Sequence, residues 1–159
     1  MIKYLLLALT LFSSSLYADP VLTEQKVKDI SKEMVQAIKD KDFSVMEKYM
    51  YPGSKITVDL DPANNRGEKE VSYEEFMMLT KMSMQMMGDA EIHDELLSIS
   101  VDKEKNQATI EEKTTIVMEM MGMTLEDISI GKTTYGVIDG QIKVLSTEDQ
   151  LISSGPISK

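Results

Sequence analysis

Cysteine and tryptophan are both absent from this chain, and histidine occurs once, as His93. Without cysteine there can be no disulfide staple, and the thiol that a bacterial lipoprotein anchor requires is missing too. A zinc centre needs three or four converging nitrogen or sulfur donors, which one histidine without cysteine cannot supply. His93 alternates with Glu91 and Glu95, the pattern of a paired surface histidine. The eight glycines are scattered and make no phosphate-cradling loop, since Gly131-Lys132 lacks the flanking pattern. No Gly-x-Ser-x-Gly elbow occurs. Positive charge is also short: 17 Lys and Arg stand against 27 Asp and Glu, a net −10 with pI ≈ 4.6. Such a surface repels phosphate backbones and anionic headgroups alike, so no nucleic-acid partner is expected.

Long apolar runs are missing as well. The only one near the N-terminus, Tyr4 to Phe12, is about half the length of a membrane-spanning helix. It follows the positive Lys3 and precedes Ser13-Ser14-Ser15-Leu16-Tyr17-Ala18, which ends on a small residue. That is the layout of a cleavable signal peptide, residues 1–18, with cleavage after Ala18. The expected location is therefore periplasmic or secreted, with no stable membrane insertion after cleavage.

What remains suits one domain, residues 19–150, with a tail at 151–159 that has no apolar period and is expected to fray. From Thr23 to about Asp40 the pattern is helical, with Val27, Ile30, Met34, Ala37 and Ile38 on one face. A break at Asp40-Lys41-Asp42 leads to a shorter helix, Ser44 to Tyr51, closed by Pro52-Gly53. An alternating strand, Lys55 to Leu60, and a short return strand, Glu68 to Val71, come next. Ser72 to Gly88 is a helix with Ser72 as N-cap, Glu75 completing a capping box, and Gly88 as the stop. The period then changes to two. Strands are expected at Ala90–Val101, Gln107–Met121, Leu125–Ile138 and Gln141–Thr147, with Asp139-Gly140 marking a tight hairpin. Helices in front and antiparallel strands behind imply an α+β fold, a curved sheet wrapped around a long helix.

The helix from Ser72 carries an unusual load of thioethers, at Met77, Met78, Met82, Met84, Met86 and Met87. Its apolar arc, which includes Tyr73, covers roughly half the circumference, more than a surface helix needs. Met78, Met82 and Met86 form a separate i, i+4, i+8 row among polar residues. Methionine fills irregular cores, and it also makes adaptable ligand-pocket walls. A row of soft thioethers suits cuprous ions, and Met118, Met120, Met121 and Met123 form a second cluster.

The opening helix pair split at Lys41-Asp42-Phe43, Tyr51-Pro52-Gly53-Ser54 before a strand, Asp61-Pro62 with Gly67, the helix from Ser72 and the closing Val137 to Val144 carry a resemblance. Over residues 23–148 this order resembles the nuclear transport factor 2-like superfamily, the cone fold shared with ketosteroid isomerase and small polyketide cyclases and dehydratases. Within that resemblance Asp61, at a strand end before a proline, matches the isomerases' general-base aspartate. Their oxyanion partners, a tyrosine of the first helix and a later protonated aspartate, have no evident counterpart here.

The expectation is an exported, non-catalytic binding module without cofactor, monomeric or homodimeric. Its apolar cavity would hold a hydrophobic small molecule or a partner's protein segment, with Tyr73, Met77, Met84, Met87, Ile116, Met118, Met120 and Tyr135 as its lining. The alternatives are an isomerase or dehydratase using Asp61 as base, and cuprous-ion binding through Met78, Met82 and Met86.

Overall fold

The computed structural model describes residues 19–59, 68–88, 90–120 and 122–157. The expected signal peptide, Asp61 with its proline, and Met121 lie outside the described residues, as does the side chain of Met120.

Helix α1 spans Glu24–Asp40, α2 Phe43–Tyr49 and α3 Tyr73–Met86. The Thr23 hydroxyl accepts a hydrogen bond from the Lys26 amide at 3.2 Å, occupying one orphan donor of the first turn of α1. At the other end Lys41 adopts φ 57°, and the Lys41 and Asp42 amides bond back to the Ile38 and Ala37 carbonyls. A left-handed residue closes the helix there, and the chain turns directly into α2. Ser72 caps α3 by accepting from the Glu75 amide at 3.1 Å, as the sequence suggests. The reciprocal half of a capping box is replaced, because Glu75 reaches Lys69 Nζ at 3.1 Å. The helix ends at Met87 in extended conformation, and Gly88 is not among the positive-φ glycines.

The strands are β1 Lys55–Asp59, β2 Lys69–Val71, β3 Glu91–Asp102, β4 Gln107–Met120, β5 Met123–Ile138 and β6 Gln141–Pro156. They form one open, curved sheet in the order β2-β1-β6-β5-β4-β3. All neighbours are antiparallel except β1 and β6, which pair in parallel from Lys55↔Ser146 to Asp59↔Gln150. Residues 151–156, which lack an apolar period, nevertheless continue β6 and pair with Leu125 to Ser129. Backbone pairing extends the strand there, joined by the Ser154 hydroxyl donating to Asp127 Oδ1. Register shifts at Leu96/Ser98, Ile128/Ser129 and Thr134/Tyr135 mark bulges, which bend strands and raise their twist. Asp139 and Gly140, at φ 51° and 71°, make the tight β5–β6 turn.

The helices cover the concave face, α1 against β3 and β4, α2 against β6, and α3 against β1. Val27, Ile56 and Val144 are fully buried between the layers, with Ile30 and Ile110 almost so. Burying each such side chain favours folding by about 1.5–3 kcal/mol. Polar ties cross the interface too, among them the buried Ser31 hydroxyl of α1, which sits 2.8 and 2.7 Å from the two carboxylate oxygens of Glu112 on β4.

Candidate functional site

Strand alternation puts Ala108, Ile110, Glu112, Thr114, Ile116 and Met118 of β4 on the face toward the helices. Their register partners on β5 are Tyr135, Thr133, Gly131, Ser129, Asp127 and Leu125. Gly131 in turn faces Asp149 of β6, and Asp149 faces Val58 of β1. Two carboxyls therefore stand on the inner face with a glycine between them. A Cβ added at Gly131 would lie 3.7 Å from Asp149 Oδ1.

Both carboxyls feel their surroundings. Burial pushes Asp149 above the usual aspartate range, while a hydrogen bond with Ser129 opposes that shift. Glu112 is raised chiefly by burial and partly by the Asp94 charge, against the lowering effect of the Ser31 hydrogen bond. A desolvated carboxylate is disfavoured relative to its neutral form, the cause common to both.

On one flank of this row, α3, Val58 and Val71 enclose a cavity of ≈ 390 Å³, of ligand-pocket size. Its walls are Ile38, Met46, Val58, Val71, Phe76, Leu79, Met84 and Met87, with Thr80, Ser83 and Asp149 as polar members. Leu79 is exposed and Met84 buried, so the space runs inward from an open mouth. On the other flank a roomier groove of ≈ 660 Å³ lies between α1 and β3. Lys28, Lys32 and Lys39 border it together with His93, Asp94 and Glu112, so it is wide and of mixed charge. Only the former has the apolar wall with few polar groups that distinguishes a ligand pocket from a surface groove.

The residues expected to line a cavity are distributed unevenly. Met84 and Met87 line the α3 pocket. Met77 is buried in the main core, and Tyr73 packs against that core. Tyr135 is buried too, its hydroxyl 3.6 Å from the Met34 sulfur, and burial raises its phenol well above the ordinary range. Ile116 and Met118 are half-buried on β4, apart from this pocket. Met78, Met82 and Met86 are exposed along the outer side of α3, at 56%, 49% and 77%. Since α3 packs on β1, with β6 and β5 intervening before β4, that row does not face Met118. Among the described residues no group of three His, Cys, Asp or Glu side chains could hold a metal ion. His93 is exposed on β3, 3.7 Å from Glu91.

Sequence reasoning missed Asp149, Ile38, Val58, Val71 and Phe76. Ending the last strand at Thr147 left Asp149 beyond it, with no strand face assigned. The signal available was spacing: Asp149 and Thr147 are two apart and share a strand face.

No protein-family model matches the chain, and no curated protein sequence does. Solved structures do match. An NTF2-like protein from Cytophaga hutchinsonii is 14% identical, with 82% of this chain and 100% of that one covered at a TM-score of 0.58. A putative scytalone dehydratase from Novosphingobium aromaticivorans is 8% identical, covering 85% and 87% at 0.64. The hexachlorocyclohexane dehydrochlorinase LinA-type3 from Novosphingobium barchaimii is 7% identical, covering 83% and 88% at 0.61. The chain has the nuclear transport factor 2-like cone fold, and at these identities the likeness carries the fold alone.

Proposed function

We propose that this chain is an exported, non-catalytic binding domain that holds a hydrophobic small molecule in the pocket between α3 and β1. The observation that carries the reading is the pocket's composition, an apolar wall of ligand size with Asp149 as its single ionisable group. Flexible thioethers at Met84 and Met87 favour tolerance of ligand shape over tight selectivity. Two of the structural neighbours are named as a dehydratase and a dehydrochlorinase, but this fold hosts unrelated activities and the names stay with those proteins. Export rests on the N-terminal pattern, and the intact mass of protein recovered from the envelope should correspond to a chain beginning at Asp19.

An external dye excited at wavelengths longer than any protein side chain absorbs reads pocket occupancy directly in the wild type and in a variant. N-phenyl-1-naphthylamine, uncharged and apolar, should brighten on binding the wild type. Ser83 is exposed yet lines the pocket, so Ser83→Trp should block it without touching the core. Loss of most of the dye signal at unchanged melting temperature supports the reading. Equal brightening of wild type and variant overturns it.

A further inference from the structure

We infer that the ligand of the α3 pocket is a monocation, an apolar body bearing one protonated amine that sits against Asp149. This inference rests on the reading above and narrows its ligand class. The pocket's lining contains one charged side chain, which is negative, and no basic one. A carboxylate facing an apolar cavity needs a partner, and a cation satisfies it more fully than the hydroxyl of Ser129 does.

Geometry leaves room for that partner. Gly131 stands beside Asp149 in register, and its missing side chain opens a notch over the sheet at the carboxyl. Glu112 borders the far side of the same glycine, one strand further on, about 10 Å from Asp149 across two strand spacings. The register position across the glycine is therefore also acidic, with the Glu112 oxygens held by Ser31 on the side of the α1–β3 groove, and no basic side chain lines the pocket at Asp149. The whole chain adds to this, since a net −10 draws cations toward its surface and repels anions. Burial raises the Asp149 carboxyl, and a cation beside it would oppose that shift by favouring the charged form.

Three probes of one shape decide the matter: 4-phenylbutylamine, 4-phenylbutanol and 4-phenylbutyrate, titrated calorimetrically at neutral pH into the full-length mature protein. The amine should bind roughly tenfold or more tighter than the alcohol, and the carboxylate weakest. Asp149→Asn should abolish the preference for amine over alcohol while leaving alcohol binding in place. Should that variant fail to fold, the ranking in the wild type is itself decisive. If the alcohol binds as well as the amine and Ser83→Trp blocks both, the pocket stands and the cation inference falls. If no probe binds the wild type, or Ser83→Trp leaves binding unchanged, the pocket reading falls and takes the inference with it.

Discussion

Glu112 and Asp149 share the inner face with Ile110 and Val144 of their own strands and with Val58 of β1, so folding draws two carboxyls out of water beside buried aliphatic carbon. Both have raised pKa values, from ordinary values of 4.5 and 3.8, with burial as the leading cause. The sign of the linkage follows. The folded state holds these protons more tightly than the unfolded chain, so their contribution is fully present below the ordinary values and is lost as pH rises through the folded ones. Glu112→Gln and Asp149→Asn should therefore raise the melting temperature at about pH 8, by an amount that shrinks as the pH is lowered toward about 5. Scanning fluorimetry across that range tests it, and a benefit independent of pH would show that desolvation is not the cause. Glu33 runs the other way, lowered by its hydrogen bonds to Lys48 and Tyr49, but the Glu33–Lys48 pair is exposed and contributes little.

At the scale of elements, β5 holds two glycines that differ in what surrounds them. An added Cβ at Gly131 meets only Asp149 Oδ1 at 3.7 Å, ordinary contact, whereas at Gly136 it would lie 2.5 Å from Leu145 Cδ1 and 3.0 Å from its Cγ. Neither has a positive φ, so entropy favours alanine at both. Gly131→Ala should stabilise by about 0.5–1 kcal/mol, while Gly136→Ala should destabilise by about 1–3 kcal/mol as Leu145 is displaced. Urea unfolding of the two variants would separate space from entropy, and equal shifts would contradict the packing described for Leu145. The α3 helix shows the same division between local and tertiary cause. Its cap is local and forms as the Ser72 side chain dictates, but its five methionines and the Met87 that ends it divide by environment: Met77 and Met84 are buried, Met87 is half-buried, and Met78, Met82 and Met86 are exposed.

Across the whole molecule the charge imbalance is spread along the chain, and the ion pairs of Lys48, Lys69 and Lys105 are exposed. Self-repulsion of a net −10 opposes compaction more than such pairs relieve it. Raising sodium chloride from about 20 mM to about 300 mM should thus raise the melting temperature by a few degrees in calorimetry. A fall would mean the surface pairs dominate. The same charge protects the sheet's edge: β3 is an outermost strand with Leu96 and Leu97 exposed, yet Glu91, Asp94 and Glu95 make it a poor template for pairing with another chain.

The sequence by itself determined whatever depends on neighbours along the chain: the Thr23 and Ser72 caps, the break at Lys41, the Asp139-Gly140 turn and the alternation of β4. Its helix-then-strand order was enough for the cone fold. Glu112 was not singled out, although it falls on the same strand face as Ile110, Thr114 and Ile116, because periodicity gives a face and no partner. Only the tertiary structure decided that Glu112 and Asp149 share a glycine, because that meeting depends on β4–β5–β6 register, which bulges set. The parallel β1–β6 pairing also joins residues some 90 positions apart, Val58 with Asp149 among them. The closing of the pocket by α3 over β1 is a property of packing between distant segments, and local pattern carries no information about distance.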